Sequence, residues 1–233
     1  MISKTDGWEL RDISPVARVL GQSRHTFSMQ DASKEVVQLA MHSPNGRPVD
    51  SDIELWIGPD WTPAKINCHT EDGVKYPIQT LIGTRNKTAN IELMNIGPEA
   101  MPIDAACSYA IEPLASERES MAEEEEGIYV EGGSVKTQPI PAEVDQVQVL
   151  LVTEGKTLDA HIELLNGPNN AKVQYKIFTN NGELNSLFVV FECPQDANAI
   201  RVRNLSTQEF PCRFYVRASV IGEEDLGPSM STW

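Results

Sequence analysis

The chain has 233 residues, 40% of them hydrophobic, and a formal net charge of −15. That length admits one large domain or two of about 100 residues, each able to bury a core without disulfides or metal. Such acidity repels phosphate backbones and disfavours a nucleic-acid partner, and no run of about 18 apolar residues is present to insert into a membrane.

Residues 1–20 read as an N-terminal arm. Trp8, Leu10, Ile13, Val16 and Leu20 are its apolar anchors, and Pro15 interrupts it. An arm this apolar is expected to dock, on its own domain or on a neighbour's. A first β-domain follows over 21–112. It opens at Gly21-Gln22-Ser23-Arg24-His25-Thr26, which is similar to Gly132-Gly133-Ser134-Val135-Lys136-Thr137. At its centre stands Ile53-Glu54-Leu55-Trp56-Ile57-Gly58-Pro59. The same wording returns 109 positions later as Ile162-Glu163-Leu164-Leu165-Asn166-Gly167-Pro168. That offset also matches Gly46 to Gly155, Asp50 to Asp159, Thr70 to Thr179, Gly73 to Gly182, Ile91 to Ile200, Asn95 to Asn204 and Pro102 to Pro211. So many identities on one ungapped diagonal indicate a tandem duplication.

Residues 113–131 join the copies. Ala115 to Glu126 is rich in Ala, Ser and Glu and ends in four glutamates. Nothing apolar recurs there at helical spacing over enough residues, so an exposed acidic linker is expected, with a short helix as the other reading. The second β-domain covers 132–221 and gives the clearer strand signals. Val147, Val149 and Leu151 alternate with other residues. Ile162–Leu164, Val173–Phe178, Leu187–Phe191, Ile200–Arg203 and Arg213–Arg217 follow, with Gly, Pro, Asn and Asp between them. Short runs of period two, punctuated by turn formers, predict antiparallel β-structure. The expected fold is all-β: two similar antiparallel β-sandwich domains, jelly-roll-like, with about six strands each. Residues 222–233 form a tail that is acidic, then Gly-Pro, and ends on Trp233. With Leu226 and Met230 it reads as a docking peptide.

A search for chemistry returns little. The histidines are His25, His42, His69 and His161, and no His-x-His, His-Glu-x-x-His or Cys-x-x-Cys occurs. No catalytic residue, metal ligand or cofactor is therefore expected. Cys68-His69 is the one adjacent pair, and strand neighbours point to opposite faces. The four cysteines, at 68, 107, 193 and 212, do not repeat between copies, so free thiols in a reducing compartment are expected. Glu54 and Glu163 recur in both copies. Each lies between core-facing neighbours, as a salt-bridged or solvated position does.

Surface features stand out instead. Trp56 and its counterpart Leu165 lie on the outward face of their strand, and Trp61 adds to that patch in the first copy. Arg201, Arg203, Arg213 and Arg217 occupy outward positions of two strands. If those strands are neighbours, the four make a socket for an acidic segment: Glu123–Glu126, or a neighbouring molecule's tail. Trp8, Trp56, Trp61, Leu165, these arginines, Leu226, Met230 and Trp233 are the candidate self-assembly residues.

The two related regions, the Ile-Glu-Leu-Leu-Asn-Gly-Pro-Asn-Asn segment at 162–170 and the Phe210-Pro211 step resemble the diatom pyrenoid shell proteins, over roughly residues 20–220. The resemblance implies a structural protein that assembles with itself into a sheet around the Rubisco matrix of the pyrenoid and supports CO2 concentration. It implies residence in the chloroplast stroma at the pyrenoid periphery, with this chain read as the mature form after import. The partners it implies are further copies of the chain, and Rubisco or another pyrenoid protein. The competing expectation is a tandem carbohydrate- or ligand-binding β-sandwich with Trp56 and Trp61 as a stacking platform. Neither tryptophan recurs in the second copy, which counts against it.

Overall fold

A computed structural model describes residues 7–13, 15–194 and 198–219. The first half supplies β1 (Val16–Val19), β2 (Ser23–Met29), β3 (Val36–His42), β4 (Val49–Ile57), β5 (Trp61–Thr70), β6 (Ile78–Gly83), β7 (Ala89–Asn95) and β8 (Ile103–Tyr109). A helix, α1 (Glu112–Glu124), follows. The second half supplies β9 (Ile128–Val130), β10 (Val135–Ile140), β11 (Gln146–Val152), β12 (Leu158–Asn166), β13 (Ala171–Thr179), β14 (Leu187–Glu192), β15 (Asn198–Asn204) and β16 (Cys212–Ser219).

These strands make two eight-stranded sheets. The first runs β1-β8-β3-β6-β14-β11-β16-β9, and the second β10-β15-β12-β13-β5-β4-β7-β2. Every pairing is antiparallel. The alternation explains the layering. In β4 each odd-numbered residue from Val49 to Ile57 is buried and each even-numbered one half-buried. Ile53 and Leu55 join Val37 and Leu39 of β3, and Ile162 and Leu164 join Val149 and Leu151 of β11, in one apolar cluster between the sheets. Tyr175 of the second sheet meets Phe191 of the first edge-on at 5.6 Å, and its hydroxyl accepts from the Gln79 backbone N–H at 3.2 Å.

The halves join through equivalent strands. Thr80 of β6 pairs with Val189 of β14, its counterpart 109 positions on. Asn67 of β5 pairs with Lys176 of β13, again its own counterpart. Antiparallel pairing of equivalent residues places a local two-fold axis through both points. The sequence reading drew two domains over 21–112 and 132–221. In the structure both segments share two continuous sheets and one core, because β5, β6, β13 and β14 pair across the boundary.

Two further differences concern the ends of these segments. Val16–Val19, expected in the arm, is edge strand β1, paired with Ile103–Ala106 of β8. Ile128–Val130, expected in the linker, is β9, paired with β16. Four and three residues are too few to show alternation. The expected exposed linker is also largely α1, with Pro113 in its first turn. Leu114 and Met121 are buried against the first sheet. Charged groups do the rest of the docking. Arg118 donates to Ser186 Oγ from Nε at 3.1 Å and Nη2 at 2.8 Å. Gln148 donates to Glu117 Oε2 at 2.8 Å. Tertiary contacts rather than an apolar stripe hold this helix, so periodicity misses it.

The arm covers the rest of that outer face. Trp8, only 4% exposed, and Ile13 pack with Val36, Ala40, Leu81 and Ala106. The Gln38 side-chain amide donates to the Gly7 carbonyl. β6 and β14 are therefore covered on both sides, which accounts for the apolar run Leu187–Phe191.

Matched asparagines tie the two sheets together. Asn95 Nδ2 donates to Val19 O at 3.1 Å and Met101 O at 2.9 Å, while its Oδ1 accepts from Gly97 N at 3.0 Å. Asn204 repeats this with Val130 O at 3.1 Å, Phe210 O at 2.8 Å and Ser206 N at 3.0 Å. Nearby, a Cβ at Gly21 would lie 1.9 Å from Pro98 O, and one at Gly132 1.8 Å from Thr207 O. Only glycine lets the chain pass this close, which explains why the same residue opens both segments.

Candidate functional site

With most of the first sheet's outer face covered by the arm and α1, the broad surfaces left open among the described residues are the outer face of the second sheet and the four sheet edges. The edges are β1 and β9 in one sheet and β2 and β10 in the other. They carry Val16, Tyr129 and Val135 as exposed apolar residues, with Arg24 and Lys136 also exposed. Unpaired edge N–H and C=O groups are ready to hydrogen-bond another chain.

The second sheet's outer face is mostly polar and cross-paired. Lys65 meets Glu54 at 2.6 Å, and Trp56 Nε1 donates to the other Glu54 oxygen at 3.1 Å. Trp56 is half-buried by these contacts. Its counterpart Leu165 is only 3% exposed, so the outward patch expected at both positions is covered in the second half. Trp61 is 39% exposed, and the Arg85 guanidinium lies 4.9 Å over its ring. A sugar would have to displace that cation, so the stacking platform gains no support.

The four arginines are not one cluster. Arg201 and Arg203 lie on β15 in the second sheet, Arg213 and Arg217 on β16 in the first. Arg201 Nε contacts Glu163 Oε2 at 2.6 Å and Nη1 donates to Asn169 at 3.2 Å, while Arg203 lies 3.5 Å from the same carboxylate. Burial works to raise the Glu163 carboxyl. The Arg201 hydrogen bond and the His161, Arg201 and Arg203 charges outweigh it, so the group is held below its ordinary value. Arg217 contacts Glu124 at 2.8 Å and Glu125 at 2.9 Å. The acidic run thus meets an arginine within its own chain. Trp8, part of the arm, is buried against the first sheet. Leu226, Met230 and Trp233 lie outside the described residues.

Two residues not singled out from the sequence are more exposed than any of these aromatics. Phe178 is 53% exposed and Leu205 52%. They line a hollow of about 380 Å³ with Asp52, Glu54, Lys65 and Lys176, beside the local two-fold axis at Asn67 and Lys176. The signal was available: Val173, Tyr175 and Ile177 face inward, which sends Phe178 outward.

Among the described residues, nucleophilic and metal chemistry finds no ready site. All four cysteines are free and buried, and burial pushes each thiol up, away from the reactive thiolate. Cys68 Sγ lies against the Ser51 carbonyl at 3.4 Å, and His69 Nδ1 lies 2.6 Å from Asp50 on the opposite face. Among the described residues, no three His, Cys, Asp or Glu side chains are placed to hold a metal ion. No helix among them is long and apolar enough to cross a membrane.

Two broad sheets with a shared buried core, open edges and an uncovered outer face define the class: a nearly all-β protein whose accessible features are surfaces for contact. The sequence model of the diatom pyrenoid shell proteins matches residues 8–218, and the chain belongs to that family. The family is a structural one, and its name places its members in the pyrenoid. A search of curated proteins finds no match. Among solved structures, the PBSX exported protein XepA is 8% identical with a TM-score of 0.29, covering 87% of this chain and 85% of that one. The conserved protein PA5104 from Pseudomonas aeruginosa PAO1 is 9% identical with a TM-score of 0.23, covering 88% and 80%. A223, a turret protein of Sulfolobus turreted icosahedral virus, is 9% identical with a TM-score of 0.25, covering 87% and 97%. Scores this low do not establish a shared fold.

Proposed function

We propose that this chain is a self-assembling structural subunit of the protein sheet that encloses the Rubisco matrix of the pyrenoid, at its stromal periphery, and so supports CO2 concentration and fixation. Membership of the pyrenoid shell family over residues 8–218 carries the reading. The surfaces support it. The chain reads as a tandem duplication, since eight strands of one half recur in order in the other. The first half's strand orders, β1-β8-β3-β6 and β2-β7-β4-β5, recur in the second as β9-β16-β11-β14 and β10-β15-β12-β13, which supports reading each half as jelly-roll-like.

A subunit with a local two-fold axis presents equivalent edges at opposite ends. Those edges differ in chemistry: β2 exposes Arg24, Thr26 and Ser28, whereas β10 exposes Val135, Lys136 and Thr137. Contacts between unlike ends do not close on themselves and propagate into sheets or tubes. The partners in this reading are further copies of the chain, and Rubisco or another pyrenoid protein. The role needs no catalysis, cofactor, nucleic acid or membrane insertion.

Negative-stain electron microscopy of purified protein across concentration and salt tests it. Extended sheets or tubes with a regular repeat are the expected result. Monodisperse single subunits under all conditions would remove self-assembly as an intrinsic property.

A further inference from the structure

A polar row crosses one end of the outer face of the first sheet. His42 of β3, Gln79 of β6, Glu192 of β14 and Gln146 of β11 lie on four neighbouring strands. Beside them is a hollow of about 470 Å³, walled by Trp8, Leu10, Ala40, Met41, Val74 and Pro77. This size suits a small ligand.

The row is incompletely satisfied. Glu192 Oε1 accepts from Gln146 Nε2 at 3.1 Å, and the Gln79 amide also hydrogen-bonds to that carboxyl. Neither amide is charged. Arg11 lines the same hollow, but it pairs with Glu9 at 2.6 Å. No cation among the described residues forms an ion pair with Glu192. Burial pushes its carboxyl up, and nearby Asp145 adds to this. Gln79 is 6% exposed, and its Oε1 has no hydrogen-bond partner; the buried His42 Nδ1 has none either. A buried acceptor without a donor loses its solvent hydrogen bond and gains nothing in return, so this arrangement favours a ligand that supplies donors.

The fold does not demand these groups. The counterparts of Gln79 and Glu192 at the 109-residue offset are Phe188 and Gly83. Elsewhere on the face, Gln38 and Gln148 spend their amides docking the arm and α1.

We propose that this hollow binds a small organic cation of the alkylammonium type. The ammonium donates to Glu192 and Gln79 Oε1, and the hydrocarbon part lies against Trp8, Leu10 and Val74. A metal ion is a poorer occupant, because the row offers a single carboxylate and a single imidazole. The site is separate from the assembly surfaces, so it stands or falls independently of the proposed function.

The test uses the full chain and three four-carbon probes, n-butylammonium, n-butanol and n-butyrate, in calorimetry and ligand-observed NMR. Saturable binding of butylammonium alone is expected. It weakens at least about tenfold in Glu192→Gln, the loss of one charge-assisted hydrogen bond. Val74→Trp fills the hollow from an exposed rim position and is expected to abolish binding while circular dichroism and the melting temperature stay unchanged. No butylammonium binding at millimolar concentration would overturn the proposal. So would equal binding by Glu192→Gln or by Val74→Trp, or equal binding of butanol by the wild type.

Discussion

Replacing Asn204 by alanine tests the claim that matched asparagines pin the two sheets together. The side chain is 1% exposed and makes three hydrogen bonds, to Val130 O, Phe210 O and Ser206 N. Val130 is fully buried, so water does not replace the lost donor at its carbonyl, and that orphan alone costs about 1–3 kcal/mol. Phe210 and Ser206 are partly exposed, and their groups recover solvent bonds at about 0.5–1 kcal/mol each. The sum is about 2–5 kcal/mol. With a urea m-value of roughly 2–3 kcal/mol/M for a chain of this size, the unfolding midpoint falls by about 1–2 M. Asn95→Ala removes the equivalent bonds and is expected to match it within about 1 kcal/mol. Asn204→Asp keeps the shape but loses the donors and turns an anion toward two carbonyls, so at pH 7 it is expected to be no better than alanine. Midpoint shifts below about 0.2 M with unchanged m would refute the pinning role. An aspartate variant as stable as wild type would do the same.

Other consequences follow from named contacts. Glu163 has its carboxyl held below its ordinary value of 4.5, so its contribution is present at neutral pH and is lost as pH falls through 4.5 toward the lowered value. Wild type should exceed Glu163→Gln by about 1–2 kcal/mol at pH 7 in urea melts, and the gap should close in acid; a gap that is constant with pH contradicts the assignment. Phe178→Asp places a charge in the most exposed aromatic position beside the local axis and is expected to raise the concentration needed for assembly without shifting the melting temperature by more than about 2 °C. Light scattering against concentration reads this, and an unchanged onset removes Phe178 from the contact. Deleting residues 226–233 is expected to leave the circular dichroism spectrum intact and weaken assembly; sheets forming at the same concentration would show that Leu226, Met230 and Trp233 have no such role.

Much of the architecture was written locally. The alternation in Val49–Ile57 and Leu158–Asn166 marks strands with one face inward, and the observed burial follows it. The diagonal from Ile53 to Ile162 leads to the expectation that the second half repeats the strands of the first, and eight strands fall in each half. Family membership was legible in the same wording and agrees with the match over 8–218. Glu163 reads as a salt-bridged or solvated position, because its neighbours Ile162 and Leu164 face the core; of the two, the structure has it ion-paired and buried.

What the sequence left undetermined depended on contacts between distant segments. Nothing in Leu187–Phe191 says which strand it will join; β14 pairs with β6 because the local axis passes through Thr80 and Val189. The helix over Glu112–Glu124 is carried by Ser186, Gln148 and Arg217, all more than 20 residues away, and its own hydrophobic pattern is too weak to show it. The arginines of β15 and β16 look like one cluster in the chain and separate because adjacent strands go to opposite sheets. Asn95 and Asn204 were visible as an identity, but their bonds to Val19 and Val130 exist only once two sheets close on each other. Composition and period decided that this chain is β-structure twice over; strand partners, covered faces and open edges were decided only when the whole chain packed, since each is a property of pairs of segments.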